Sequence, residues 1–232
     1  MERPHLKKAV VLLSGGLDSA TTLYEAKSNG YKCHCLILDY GQRHRREIEA
    51  AKEVARAAGC SFDVVRVRFP WKGSALTDRG IAVPTGRSLK RMARGIPATY
   101  VPARNTIFLS LALGCAEASG ARSIFIGANA IDYSGYPDCR LAYYRAMQKT
   151  ARLGTKVGVQ GQGIRIVIPL IRKTKAEIIR LGMKLRVPYH LTWSCYLGGR
   201  WPCGRCDSRQ LRRKGFQEVG LADPAAWRAL PS

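Results

Sequence analysis

The residues best suited to chemistry form the string Ser14-Gly15-Gly16-Leu17-Asp18-Ser19, between an apolar run and a helical segment. Glycines there let backbone N–H groups approach a phosphate, and the helix N-terminus adds partial positive charge. Ser14 and Ser19 supply hydroxyl donors. Asp18, in the first helical turn, is placed to orient the loop or to hold a magnesium ion. Two glycines alone would serve any tight strand-to-helix turn; the full string at the end of an apolar strand favours phosphate. It is neither the GxxxxGK[ST] loop nor the GxGxxG fingerprint. A second cluster is Cys195, Cys203 and Cys206, a CxxC turn around Gly204 with a further cysteine eight residues earlier. Such thiolates look like zinc ligands that staple a segment too small for its own core.

The elements that must position these groups alternate. Ala9–Leu13 is a continuous apolar run, as expected of a strand buried on both faces. Leu17–Asn29 reads as a helix stopped by Gly30, and Tyr31–Leu38 as a second strand. Arg46–Ala58 is an amphipathic helix ending at Gly59, and Phe62–Val67 a third strand. Periodicity is lost over residues 69–104, which carry four prolines and four glycines, as in an active-site flap or partly mobile insertion. It returns with helix Asn105–Ala118, strand Ser123–Gly127, helix Leu141–Leu153 and strand Ile164–Ile168. Thr174, with Glu177 three residues on, predicts a capping box for a helix over Thr174–Leu181. The expected fold is α/β, an open parallel sheet flanked by helices in the Rossmann-like manner. Residues 1–188 form its main domain, and residues 189–232 a small cysteine-rich metal-binding segment packed on it.

Composition narrows the class. The chain has 232 residues, is 46% hydrophobic and can bury a full core, which excludes global disorder. Its longest early apolar run is too short to span a bilayer, and no signal-type region precedes Ser14, so a cytoplasmic protein is expected. Eight cysteines then read as thiols, metal ligands or catalysts rather than disulfides. The formal net charge of +23 first suggests nucleic acid. The excess is uneven: residues 1–60 hold 10 basic and 7 acidic side chains, residues 61–232 hold 29 and 9. No basic run exceeds Arg212-Arg213-Lys214, so there is no basic tail, and a solvated basic face explains the charge better than RNA binding.

The phosphate loop resembles the PP-loop of the N-type ATP pyrophosphatases, which cleave ATP between its α and β phosphates. Four further segments narrow the resemblance. They are Asp39-Tyr40-Gly41-Gln42-Arg43-His44, Tyr100 through Thr106, Gly127 through Arg140 (GANAIDYSGYPDCR), and Thr192 through Tyr196 with Cys203 through Ser208. In that order, from about Lys8 to about Phe216, they are similar to the QueC family of 7-cyano-7-deazaguanine synthases. The resemblance implies an adenine nucleotide alpha hydrolase-like fold and an ATP-dependent ligase. Such a ligase turns 7-carboxy-7-deazaguanine and ammonia into the nitrile preQ0 through adenylated carboxylate and amide.

It also implies roles. Leu13, Ser14, Gly15, Gly16, Leu17, Asp18, Ser19, Ala20, Thr21, Thr22 and Leu23 would form the ATP site, with Ser14, Asp18, Ser19 and Mg²⁺ at the phosphates. Lys175 reads either as a phosphate-neutralising lysine or as a solvated helix residue. Tyr133 and Tyr136 offer ring faces to a planar base, Asp132 and Asp138 acceptors for a guanine-like edge, and Arg104 a clamp for a carboxylate. Each has a local alternative: a buried turn tyrosine, a helix-capping arginine. A homodimer is implied too.

One position departs from the family pattern. A fourth cysteine should follow Cys206 by three residues, and Arg209 stands there. Arginine cannot ligate zinc. Three arrangements remain: zinc on three thiolates with water or Asp207, a metal-free cluster, or a further ligand such as His190. Two rival functions stay open, a tRNA-thiolating relative and a QueC-like binding protein without ligase activity. The basic flap (Arg87, Lys90, Arg91, Arg94) and tail (Arg200, Arg205, Arg209, Arg212, Arg213, Lys214) would face the site and gather anions.

Overall fold

A computed structural model describes residues 7–43, 45–92, 94–130, 135–199 and 201–227. Strands β1 (Lys7–Leu12), β2 (Tyr31–Asp39), β3 (Ser61–Arg66), β4 (Ser123–Ile126) and β5 (Arg165–Val167) form one sheet in the order β3-β2-β1-β4-β5. Every pairing is parallel. Parallel neighbours need crossovers, and helices supply them. In chain order these are α1 (Leu17–Ser28), α2 (Arg46–Ala57), α3 (Leu89–Met92), α4 (Arg104–Ser119), α5 (Leu141–Leu153), α6 (Lys156–Val159), α7 (Lys175–Lys184) and α8 (Asp207–Glu218).

The apolar run in β1 is continuous because both of its faces are covered. Ala9 and Val11 point into a core shared with Leu23 of α1, Val54 of α2 and Ile178 of α7. Val10 and Leu12 point the other way, onto Leu109 of α4 and Tyr144 of α5. β3 closes one edge and is largely exposed. The capping box on α7 forms as expected, with Thr174 accepting from the Glu177 backbone N–H and the Glu177 carboxylate accepting from that of Thr174. Among the described residues no helix is long and apolar enough to cross a membrane.

Two regions differ from the sequence reading. Among the described residues of 69–103 the short α3 is the one helix, and the stretch read as a flap or partly mobile insertion docks on the tail. Thr85 bridges to Cys206, the Gly86 N–H donates to the Arg205 carbonyl at 2.9 Å, and Arg87 pairs with Asp207. Ala75 and Val83 pack with Cys195 and Cys206. The second difference is α8, which no apolar pattern announced. Its inward face carries Arg209, Leu211, Arg212, Gly215 and Phe216. Phe216 enters the core beneath β1, and α8 crosses α7 so closely that a Cβ on Gly215 would lie 2.5 Å from Lys175 Cγ.

Candidate active site

β1 and β4 are neighbours whose chains leave toward opposite sides of the sheet, and ligands in such folds bind where the order reverses. A pocket opens there, at the carboxyl ends of β1, β2 and β4. Ser14, Gly16, Leu17, Asp18 and Ser19 line it from one side. Gly15 instead faces away: at φ +79° it lies against α2, where a Cβ would sit 2.3 Å from the Glu47 carbonyl oxygen. Gly127 brings β4 equally close to α1, since a Cβ there would lie 2.9 Å from Ser19 N. The loop is held internally. Ser19 Oγ accepts from the Ser14 N–H at 3.2 Å, lies 3.0 Å from Ser14 Oγ, and donates to the Gly16 carbonyl at 3.1 Å. From outside, the Trp193 N–H donates to the Gly15 carbonyl at 2.9 Å, tying the cysteine-rich tail to the loop.

Lys175 is not a solvated helix residue. It is buried at the pocket wall, and its Nζ donates to both Asp18 oxygens at 2.7 and 2.8 Å. The later part of the predicted ATP segment lies elsewhere: Ala20, Thr21, Thr22 and Leu23 are buried inside α1 and do not line the pocket. Thr21 Oγ1 instead bonds the Leu17 carbonyl and the Tyr189 hydroxyl. Helical periodicity explains the split, since only the first turn of α1 faces the opening.

Opposite the loop, Arg104 opens α4 and lines the pocket. It donates to the Tyr40 hydroxyl at 3.3 Å and lies over the Tyr40 and Phe108 rings. The residue before it, Ala103, is held at φ +53°, an uncommon backbone state for a residue with a Cβ. Tyr136 lines the same wall, its hydroxyl 2.7 Å from Thr99 Oγ1. Asp138 stands one layer back: it accepts from the Asn105 backbone N–H at 3.1 Å and so caps α4 rather than lining the pocket. Asp132 and Tyr133 lie outside the described residues.

Glu47 was not among the sequence candidates, and Tyr40 and Trp193 entered only within the family segments, without a role; all three line the pocket. Glu47 belongs to the helix α2, which the sequence announced by its apolar spacing alone. The one signal was its place in the first turn after the Asp39–His44 motif. Burial pushes its carboxyl up to about 7, with Cys195 adding to the rise and Arg104 opposing it. Burial likewise raises Tyr40.

The Sγ atoms of Cys195, Cys203 and Cys206 lie within 4.8 Å of one another. The Cys203 N–H donates to Cys195 Sγ, and the Cys206 N–H to Cys203 Sγ, each at 3.3 Å. A hydrogen bond from Cys206, together with backbone N–H groups of Cys203, Leu197 and Gly198, holds Cys195 well below the usual thiol range despite burial. A soft, anion-stabilised donor set of this kind fits zinc. Among the described residues no fourth ligand joins it. Asp207 is held by Arg87, with Nε donating to Oδ1 at 3.2 Å, and His190 is exposed on the turn Tyr189–Leu191.

Arg209 turns away from the thiols. Its Nη1 donates to Asp223 Oδ2 at 2.6 Å, and both residues are buried. Arg212 grips the same carboxylate at 2.9 Å and also donates to Thr192 Oγ1, Ser194 Oγ and the Tyr189 carbonyl. Together with Arg87 on Asp207, these arginines are structural, not part of a free basic field as the tail and flap charges suggested. Arg200 lies outside the described residues.

An SGGxDS loop at the switch point of a five-stranded parallel sheet, with a lysine reaching into it, defines a PP-loop nucleotide-using α/β enzyme. Comparison with solved structures agrees on the fold. An NMN synthetase from Francisella tularensis superposes with TM-score 0.50 at 14% identity, covering 94% of this chain and 79% of that one. A 4-thiouridine synthetase, solved with RNA and ATP, gives TM-score 0.50 at 19% identity over 92% of this chain and 50% of its own. Residues 8–220 match the family described as Queuosine biosynthesis protein QueC. A 7-cyano-7-deazaguanine synthase of Nostoc punctiforme is 57% identical over 223 residues, 95% of this chain and 99% of that protein. Another, from Thermoplasma acidophilum, is 55% identical over 233 residues, 100% of this chain and 95% of its own length. The chain belongs to the QueC family.

Proposed function

We propose that this chain is an ATP-dependent carbon–nitrogen ligase that makes 7-cyano-7-deazaguanine from 7-carboxy-7-deazaguanine and ammonia. The observation that carries the reading, beside the family, is one pocket with two unlike ends. The serine- and glycine-lined loop with Lys175 suits a nucleotide's phosphates, and Arg104 among aromatic rings suits a planar carboxylate.

The chemistry follows from those ends. A substrate carboxylate oxygen attacks the α-phosphorus of ATP and pyrophosphate leaves. Loop N–H groups and Lys175 stabilise the charge that develops on that leaving group. Ammonia then displaces AMP from the acyl carbon to give the amide. The amide oxygen attacks the α-phosphorus of a second ATP and pyrophosphate leaves; loss of the two nitrogen protons and of AMP then gives the nitrile. Arg104 holds the carboxylate bidentately, and Tyr136 contributes a ring beside it. Mg²⁺ travels with ATP; Ser14, Asp18 and Ser19 offer oxygen donors of the type it prefers. The reading carries with it a cytoplasmic homodimer working on small molecules, without nucleic acid.

Incubation with 7-carboxy-7-deazaguanine, ATP, magnesium and ammonium is expected to yield preQ0 and AMP by mass spectrometry. AMP formed only when tRNA is added would support the thiolating rival instead. No AMP under any condition would support a binding protein.

Zn²⁺ is the metal we assign to Cys195, Cys203 and Cys206, where it would staple the tail that latches the Gly15 carbonyl. Metal analysis of untagged protein is expected to find about one zinc per chain, bound by this thiolate set. Protein that purifies with little or no zinc would overturn this assignment, as would a Cys206→Ser variant that keeps it all.

A further inference from the structure

Asp18 and Glu47 are the two carboxylates among the described residues that line the pocket. Lys175 holds both oxygens of Asp18, at 2.7 and 2.8 Å. Glu47 has no such partner and no role in the reading above. It rises from the first turn of α2, next to the backbone on which Gly15 rests. It shares the pocket wall with Arg104 of α4, with Tyr40, which follows β2, and with Trp193 of the tail. It therefore opens into the same pocket as the phosphate loop and the arginine assigned to the substrate carboxylate.

We propose that Glu47 is the general base of the two nitrogen steps. The proposal rests on the ligase reading. In the first step the Glu47 carboxylate takes a proton from the nitrogen as its lone pair forms the C–N bond. AMP leaves with the C–O electron pair. In the second, the amide nitrogen loses one proton to water as its oxygen takes the adenylyl group and pyrophosphate leaves, and Glu47 takes the remaining N–H proton from the neutral adenylated imidate. Those N–H electrons form the new C–N π bond while the C–O bond breaks and AMP departs. The proton is passed to water between the steps. Neither step needs an oxidant or a further reactant.

The other pocket groups are poorer candidates. Asp138 is not at the pocket surface and already accepts from Asn105. Burial raises the Tyr40 and Tyr136 hydroxyls, and it raises Cys139 to about 12, so none is a ready acceptor at neutral pH. Glu47 is thus the pocket carboxylate left to accept a proton, since Asp18, the other, is engaged by Lys175. Arg104, opposite, favours its charged form.

The test separates adenylation from nitrogen chemistry. Exchange of labelled pyrophosphate into ATP, run with the carboxylate substrate and no ammonia, reads the first adenylation alone. Glu47→Gln is expected to keep that exchange within about threefold of wild type. Nitrile formation should fall about a hundredfold or more. Glu47→Asp, which keeps a carboxylate at the same position, is expected to recover part of the loss. The proposal is overturned if Glu47→Gln makes nitrile at the wild-type rate. It is equally overturned if exchange and nitrile formation fall together, which would mark a structural residue, or if Glu47→Asp recovers nothing. Wild-type protein that shows no carboxylate-dependent exchange would sink the ligase reading itself, a result distinct from all of these.

Discussion

Asp18→Ala lowers the rate of AMP release by about two to three orders of magnitude at saturating ATP, the range expected when a preorganised electrostatic group at a transition state is lost. The reason is positional. Both Asp18 oxygens hold Lys175 Nζ, which aims the ammonium across the mouth of the phosphate loop. Asp18 lies in the first turn of α1, against which Gly127 at the end of β4 packs with no room for a Cβ. The backbone around it is therefore fixed, and deletion of the side chain changes charge and orientation rather than fold. Without the carboxylate, Lys175 loses both of its Asp18 contacts, and the placement of positive charge at the leaving pyrophosphate changes. The unfolding midpoint in urea should stay close to wild type, because Asp18 is partly exposed and the pair rims an open pocket. AMP release within about threefold of wild type would remove the Asp18–Lys175 pair from the catalytic machinery.

The largest stability effect is expected at Asp223. Its carboxylate is shared by Arg209 and Arg212, and all three side chains are nearly inaccessible to water. Asp223→Ala leaves two buried guanidinium groups without their counter-charge, a class of change that costs about 3–5 kcal/mol. Arg212 keeps Thr192, Ser194 and the Tyr189 carbonyl, so the loss sits toward the lower end of that range. Burial works to raise the Asp223 carboxyl, but Arg212 and Arg209 outweigh it and hold the group below the usual carboxylate range. A depressed native pKa stabilises the fold above the unfolded value and loses that contribution as pH falls through the native one. The difference between wild type and Asp223→Ala should therefore be full at neutral pH and shrink in acid. Urea titrations at neutral and at acid pH measure it; equal stability of the two proteins at pH 7 would show that the cluster is not a stabilising one.

The same cluster answers the question raised by Arg209. The position at which the family pattern places a fourth thiolate holds an arginine that faces the opposite way. It joins Arg212 on Asp223, one turn of chain beyond α8. The tail is thus tied to residues 69–104 by the bridge of Thr85 to Cys206 and closed on itself by a buried ion cluster. Part of the basic excess after residue 60 is accounted for here. Arg87, Arg209 and Arg212 are consumed in internal pairs and are not available to draw in anions.

Much of the site was legible in the sequence wherever function rests on local backbone. The strand–loop–helix of Ala9–Asn29 declares itself because a doubly buried strand must be continuously apolar and a phosphate loop must be glycine-rich. The capping box at Thr174–Glu177 spans a single turn, so adjacent residue types sufficed. The three cysteines were legible for the same reason. α8 was not, since its inward face carries arginines and a pattern of apolar spacing passes over buried charge. Nor was Glu47, whose helix looks amphipathic with that residue on the polar side.

The sequence by itself determined the alternation of the five strands with their main helices, the phosphate loop, the thiol cluster and the family. Each is written in residues close along the chain or in their spacing. Only the tertiary structure decided which charges are buried and with whom. Lys175 meets Asp18 across 157 positions, Arg87 meets Asp207 across 120, and Glu47 reaches the pocket because Gly15 lets α2 close over the loop. Coulomb energy and desolvation depend on distance and burial in the folded chain, and neither quantity exists until the sheet and its helices have brought those residues together.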